Sequence, residues 1–231
     1  EGGNLADVSV DALQKVKSAL STFQSDIAGI SLRASNQSQN CLNACRQKVD
    51  ETQAKIEELE SAITKLNNKI ETLDGQISSA LSQIQQLENA IPQMERRLRS
   101  IEMEISSLQQ QLSALQAQLA DAEDDDTRQQ IQSQINMVTQ QLNSLFREQS
   151  ELEYQIQNAE KQKASLRQKV SEMKSEKSRC EQELSIAKKK KNQYQQKFDR
   201  LKTMLGTVNS NLDVYILSLI HISEPTRRVV I

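Results

Sequence analysis

Tryptophan does not occur in this 231-residue sequence, aromatic side chains make up only 3% of it, and there are five glycines and two prolines. Globular cores lean on aromatics and are turned by Gly and Pro, so this composition excludes a compact, loop-rich domain. Histidine occurs once, as His221, and no Ser or Cys stands beside a plausible base, which argues against nucleophilic catalysis. Cys41, Cys45 and Cys180 are too few for a disulfide framework or a four-ligand zinc site. One helical turn apart, Cys41 and Cys45 share a face but leave half of a zinc shell empty. All three read as small seam residues in a reducing, cytoplasmic compartment. No Gly-x-x-x-x-Gly-Lys-Ser/Thr segment is present to cradle a phosphate. The longest apolar run, Val214 to Ile222, is broken by Ser218 and His221 and is too short to span a bilayer. With 29 basic and 31 acidic residues spread along the chain, no global field draws in DNA or an anionic membrane. The reading therefore assigns no enzyme activity and no catalytic, cofactor-binding or metal-ligating residue.

What is present is helical periodicity. Hydrophobic residues, mostly Leu, Ile and Ala, make up 36% of the chain, with Gln, Glu, Lys and Ser between them. After residues 1–8, read as a disordered start, Ser9 is a candidate N-cap with Val8 and Leu13 as its staple. A stripe of Leu13, Val16, Leu20, Phe23, Ile27 and Ile30 alternates steps of three and four, predicting an amphipathic helix over 9–30 that wants a helical partner. Residues 31–48 turn polar and read as a weak helix or hinge, with a one-residue phase slip near Cys45. Over 49–122 an apolar residue recurs every seven positions from Ile56 to Leu119, with a second set from Leu59 to Ala122 between them. A seam of that period is specific for a coiled coil. Pro92 falls inside it, removes one backbone hydrogen bond at a cost of about 3 kcal/mol and predicts a kink.

Residues 123–127, with Asp124, Asp125 and Asp126, read as a turn, because acids suit the start of a helix and not its end. Thr127 with Gln130 resembles a capping box. A second seam covers 128–205, and Gly206 is a natural stop before a disordered tail over 206–231. If the chain folds back at the Asp run, residues facing one another have numbers adding to about 250, and the independently read seams obey this: Ile56 with Tyr194, Ile70 with Cys180, Ile84 with Leu166, Leu98 with Leu152, Leu112 with Val138. Gln149, Lys163, Lys177 and Lys191 interrupt the second seam every fourteen residues and then face Ile101, Leu87, Leu73 and Leu59, followed by Glu102, Glu88, Asp74 and Glu60. A parallel homodimer would bury the three lysines against their own copies. Lys55 falls near Lys190 and Lys197 in the same alignment and fits it less well. The predicted fold is all-α: an elongated antiparallel coiled-coil helical hairpin preceded by an amphipathic N-terminal helix.

Within this pattern the run Lys188 to Lys191, with Lys197, Arg200 and Lys202, reads as a solvated face, and the Asp run lacks the alternating ligands of a calcium loop. The sustained period resembles the coiled-coil arm of an SMC-type chromosome-segregation ATPase, which implies a bacterial arm whose ATPase head lies outside these residues. The N-terminal helix followed by a long coil also resembles the helical amino-terminal regions of type VII secretion substrates, implying a secreted helical protein. From Leu217 to Arg227 the chain reads Leu-Ser-Leu-Ile-His-Ile-Ser-Glu-Pro-Thr-Arg, which resembles a translated sequencing-library adapter. That likeness implies a non-native tail, and the Glu1-Gly2-Gly3 start without Met fits a fragment of a larger chain. The function expected is a structural or scaffolding coiled coil that binds a protein partner, or a second copy, through helical surfaces. No small-molecule substrate, nucleic acid or membrane span is expected.

Overall fold

Both predicted seams are helical in the computed structural model, which describes residues 3–223 and places side chains over 9–218. Two helices account for nearly all of it: α1, Gly3–Asp121, and α2, Asp125–Ser223. The chain divides into a unit that holds the turn, Leu66–Glu183, and a unit made of Glu1–Lys65 with Leu184–Ile231. In each, α1 and α2 run antiparallel.

In the turn unit the buried residues Ile101, Ile105, Leu115, Val138 and Leu142 form one cluster with Leu108, Leu112, Ile131, Ile135, Leu145 and Leu152 around it. Ile77, Ala80, Ile84 and Val170 form a second, with Leu166 and Met173. Leu112 with Val138, Leu108 with Leu142, Leu115 with Ile135, Ala80 with Val170 and Ile84 with Leu166 all add to 250, so the expected layers are those the fold makes. A two-helix seam is one residue deep. Even so, Ile101 is 0% exposed, because the neighbouring layers close over it.

The turn is tighter than expected. α1 ends at Asp121 and α2 begins at Asp125, so the cap is Asp124 and not Thr127. The Thr127 backbone N–H donates to Asp124 Oδ1 at 2.7 Å, and the Thr127 hydroxyl donates to Oδ2 at 2.6 Å. Arg128 Nε–H reaches the Ala122 carbonyl at 2.9 Å, satisfying an acceptor left over at the end of α1. Both hydrogen bonds from Thr127 stabilise the Asp124 carboxylate, the hydroxyl's first, and hold its pKa below the ordinary aspartate value.

Helix continues through the site of the expected kink, through the segment read as a weak helix or hinge, and past the expected stop at Gly206. α1 runs through Pro92, whose missing N–H leaves the Glu88 carbonyl without its usual donor. It also runs through 31–48, where partly or fully covered positions recur at Ser31, Ser35, Ser38, Leu42, Cys45 and Val49, in heptad step with Thr52 and Ile56 from Ser31 onward. On α2 the half-buried positions continue past Gly206 as Val208, Leu212 and Tyr215. They pair with α1 by the same sum, large against small: Tyr215 with Ser35, Leu212 with Ser38, and, just before the glycine, Leu205 with Cys45. Two hydrogen bonds fix that register, from Cys45 Sγ to the Leu201 carbonyl at 3.7 Å and from the Tyr215 hydroxyl to the Ser31 carbonyl at 3.4 Å. Gly206 faces open space and has no positive φ, so it does not end the helix. The roughly 1 kcal/mol it costs in a helix is small beside the burial of the three side chains beyond it. The phase change lies between Ile30 and Ser31, and not near Cys45. Of the segment resembling an adapter translation, Leu217 to Ser223 is helical, and residues 1–2 and 224–231 lie outside the described residues.

Candidate functional site

The feature most open to chemistry is the line of polar groups along the edges of the seam. Lysines at core positions hold their aliphatic stems in the seam and carry the ammonium to its rim. Lys177 meets Asp74 at 2.6 Å and Lys191 meets Glu60 at 3.0 Å, the two acids expected for them. The hydrogen bond from Lys177 to Asp74, more than the bare charge, raises the lysine's pKa. Lys163, the most covered of the three, turns instead to Glu160 on its own helix at 2.7 Å. Glu88, its expected partner, is taken by Arg167 at 2.6 Å, whose longer fork reaches across the seam.

Further cross-helix pairs escaped the sequence reading. Lys69 meets Glu176 at 2.7 Å, and Arg97 grips both oxygens of Glu148 at 2.9 and 3.1 Å while touching Glu104 at 3.2 Å. Their signal was available. Lys69 with Glu176 and Arg97 with Glu148 add to 245, and Glu88 with Arg167 adds to 255, five either side of the core sum, where flanking positions face each other in an antiparallel pair. All these groups are at least a third exposed apart from Lys163 and Lys177, so each pair contributes little to stability and more to register.

The crowding of Lys55 with Lys190 and Lys197 is relieved locally. Lys55 binds Glu58 at 2.9 Å, and Lys48 binds Glu51 at 3.1 Å. Glu51 is held below its usual pKa first by the hydrogen bond from Lys48, with Lys197 adding to the field. These groups and Tyr194 line an open groove between α1 and α2. In the basic run, Lys188, Lys189 and Lys190 are exposed, while Lys202 sits 5.2 Å from the Phe198 ring. Asp124 is occupied as a helix cap.

The cysteines divide. Cys180 is buried at the Ile70 layer and Cys45 is half-buried, as seam residues would be, but Cys41 is exposed because the face turned to α2 passes through Leu42. Among the described residues no three His, Cys, Asp or Glu side chains converge on a point that would hold a metal ion. No helix there is long and apolar enough to cross a membrane.

Such an arrangement holds two helices in register and offers charged edges. Of known structures, the coiled-coil middle fragment of Bacillus subtilis Smc superposes with a TM-score of 0.70 at 18% identity, covering 88% of this chain and 94% of that one. The chain resembles an Smc coiled-coil segment. A coiled-coil segment of Pyrococcus yayanosii Smc aligns over 84% of this chain and 83% of its own, at 14% identity and a TM-score of 0.36. No family model and no curated protein matches the chain. At these identities the likeness speaks for the fold alone, a coiled coil.

Proposed function

We propose that the chain is a non-enzymatic coiled-coil arm, which spaces or presents protein partners through its helical surfaces. The carrying observation is that in each unit the buried residues lie along the seam between α1 and α2, with ion pairs from one helix to the other at its edges. No residue is assigned a catalytic, cofactor or metal role, since the polar groups lie on open edges where nothing excludes water from a reacting pair. The second reading, an arm of an SMC-type ATPase, draws its support from the match to the Smc middle fragment.

The test is deletion of one heptad in the gene's host. Removing 77–83 from α1 together with 167–173 from α2 keeps every remaining layer in register and should retain function. Removing 77–83 alone shifts one helix by two turns and should abolish it. Function that survives the single deletion would show that the paired seam is not what the protein uses. For the second reading, the full gene product must hydrolyse ATP and this chain alone must not.

A further inference from the structure

Lys69 with Glu176 and Arg97 with Glu148 flank the seam along one groove, at a sum of 245, and Glu88 with Arg167 along the other, at 255. Elsewhere the same two sums set like charges face to face. In the unit that holds the chain ends, Lys48 falls opposite Lys197 and Lys55 opposite Lys190 on the 245 groove. In the turn unit, Glu95 falls opposite Glu160 and Glu102 opposite Glu153 on the 255 groove. One further rung of this kind, Asp74 with Glu181, is bridged by Lys177, which reaches both acids. The fourteen-residue series that supplies that lysine places the neutral Gln149 beside Glu102 and Glu153.

Neither set is fully answered within its own chain. Lys48 pairs with Glu51 and Lys55 with Glu58 at 3.1 and 2.9 Å, and Lys163 takes Glu160 at 2.7 Å. Among the described residues Lys190, Lys197, Glu95, Glu102 and Glu153 make no ion pair. Like charges facing across a seam oppose the hairpin, so an arm standing alone gains nothing from these rungs. Between two molecules they are complementary.

We propose that these two grooves bind each other between copies of the chain: the groove of Lys48, Lys55, Lys190 and Lys197 on one molecule receives the groove of Glu95, Glu102, Glu153 and Glu160 on a second. In each groove the two rungs are seven residues apart, about 10.5 Å along the helix, so both engage together. Any heptad fixes that spacing. The choice of partner comes from the signs, two consecutive rungs all basic and two consecutive rungs all acidic on the same chain. Copies stacked level on the basic groove would set lysine on lysine, so they bind staggered, through different units. The contact is heterologous, each copy offering one groove of either kind. Being charged and open to water, it is weak and sensitive to salt.

The inference rests on the arm reading, and a disulfide between Cys residues placed at 80 and 170 reports the paired seam separately. Sedimentation of the full chain at hundreds of micromolar and about 10 mM salt, where charges act over about 30 Å, should give a mean mass above the 26.1 kDa of one chain. At about 1 M salt, where they act over about 3 Å, the mass should return to that of one chain. The variants K190E/K197E and E102K/E153K change only residues that make no ion pair in the hairpin. Each alone should associate about tenfold more weakly or worse, with unchanged helicity and an intact 80–170 link. Mixed in equal amounts the two should associate again, because the first keeps the acidic groove and the second the basic one. A wild-type chain that stays at one chain mass in low salt overturns the proposal, as does association that survives either variant or about 1 M salt. A mixture of the two variants that stays apart overturns it too. A chain that is monomeric alone but binds a short DNA duplex at low salt gives the basic groove to a nucleic acid in place of a second copy. A parent chain in which the 80–170 link fails to form refutes the paired seam itself, and this contact with it.

Discussion

Replacing Ile101 by Ala tests the packing of the turn unit where it is tightest. Ile101 is 0% exposed, alone among the large side chains of the described residues to be so fully enclosed, and Gln149 faces it in the 250 register. The change removes three carbons, worth about 2.4 kcal/mol at about 0.8 kcal/mol per methylene. A cavity adds to that figure in a thick core, where such substitutions cost about 2–5 kcal/mol. Here the seam is one residue deep with water on both flanks, so the helices relax inward and the lower part of the range applies, about 2.5–3 kcal/mol. Met103, two residues along the same helix, is 69% exposed, and Met103→Ala should cost under about 0.5 kcal/mol. Urea unfolding followed by circular dichroism gives both values. Hydrogen exchange over 98–105 and 145–152 should show faster opening in Ile101→Ala on both helices together. If Ile101→Ala unfolds within about 1 kcal/mol of the parent, or Met103→Ala costs as much, the closed layer does not exist in solution.

Changing Asp124 to Ala removes an acceptor for two hydrogen bonds and should lower the urea midpoint, with Asp124→Asn falling between it and the parent. The Asp124 carboxyl pKa is depressed in the folded chain, so its contribution is complete above the usual aspartate range, ~3.9, and is lost as pH falls through the folded value. Glu176, depressed chiefly by the hydrogen bond from Lys69, acts in the same direction, so acid titration should loosen the hairpin and an unchanged midpoint down to about pH 3 would contradict both assignments. In a background without native cysteines, Ala80→Cys with Val170→Cys should form an intramolecular disulfide at micromolar dilution, since the two lie in one buried cluster; a product of doubled mass would mean that α1 pairs with another chain.

The seven-residue recurrence from Ile56 to Leu119 committed α1 to a coiled coil without help from any partner, because that period puts every core residue on one side of a helix. Direction of pairing was legible too. Lysines at 163, 177 and 191 cannot face their own copies, and the Asp run can only start a helix, so the chain had to fold back there. Tertiary structure decided what depends on the other strand. Residues 31–48 look too polar to pack, but opposite Leu205, Leu212 and Tyr215 a small side chain is what a seam needs, and the helix continues through Ser35, Ser38 and Cys45. Gly206 reads as a stop in isolation; burial beyond it outweighs its propensity. The partner of Glu88 could not be read from the order of residues, since Lys163 and Arg167 both come within range and only the reach of the side chains across the seam selects the arginine. Local pattern determines which face of a helix is apolar, and the opposing helix determines how much of that face is filled and where it ends.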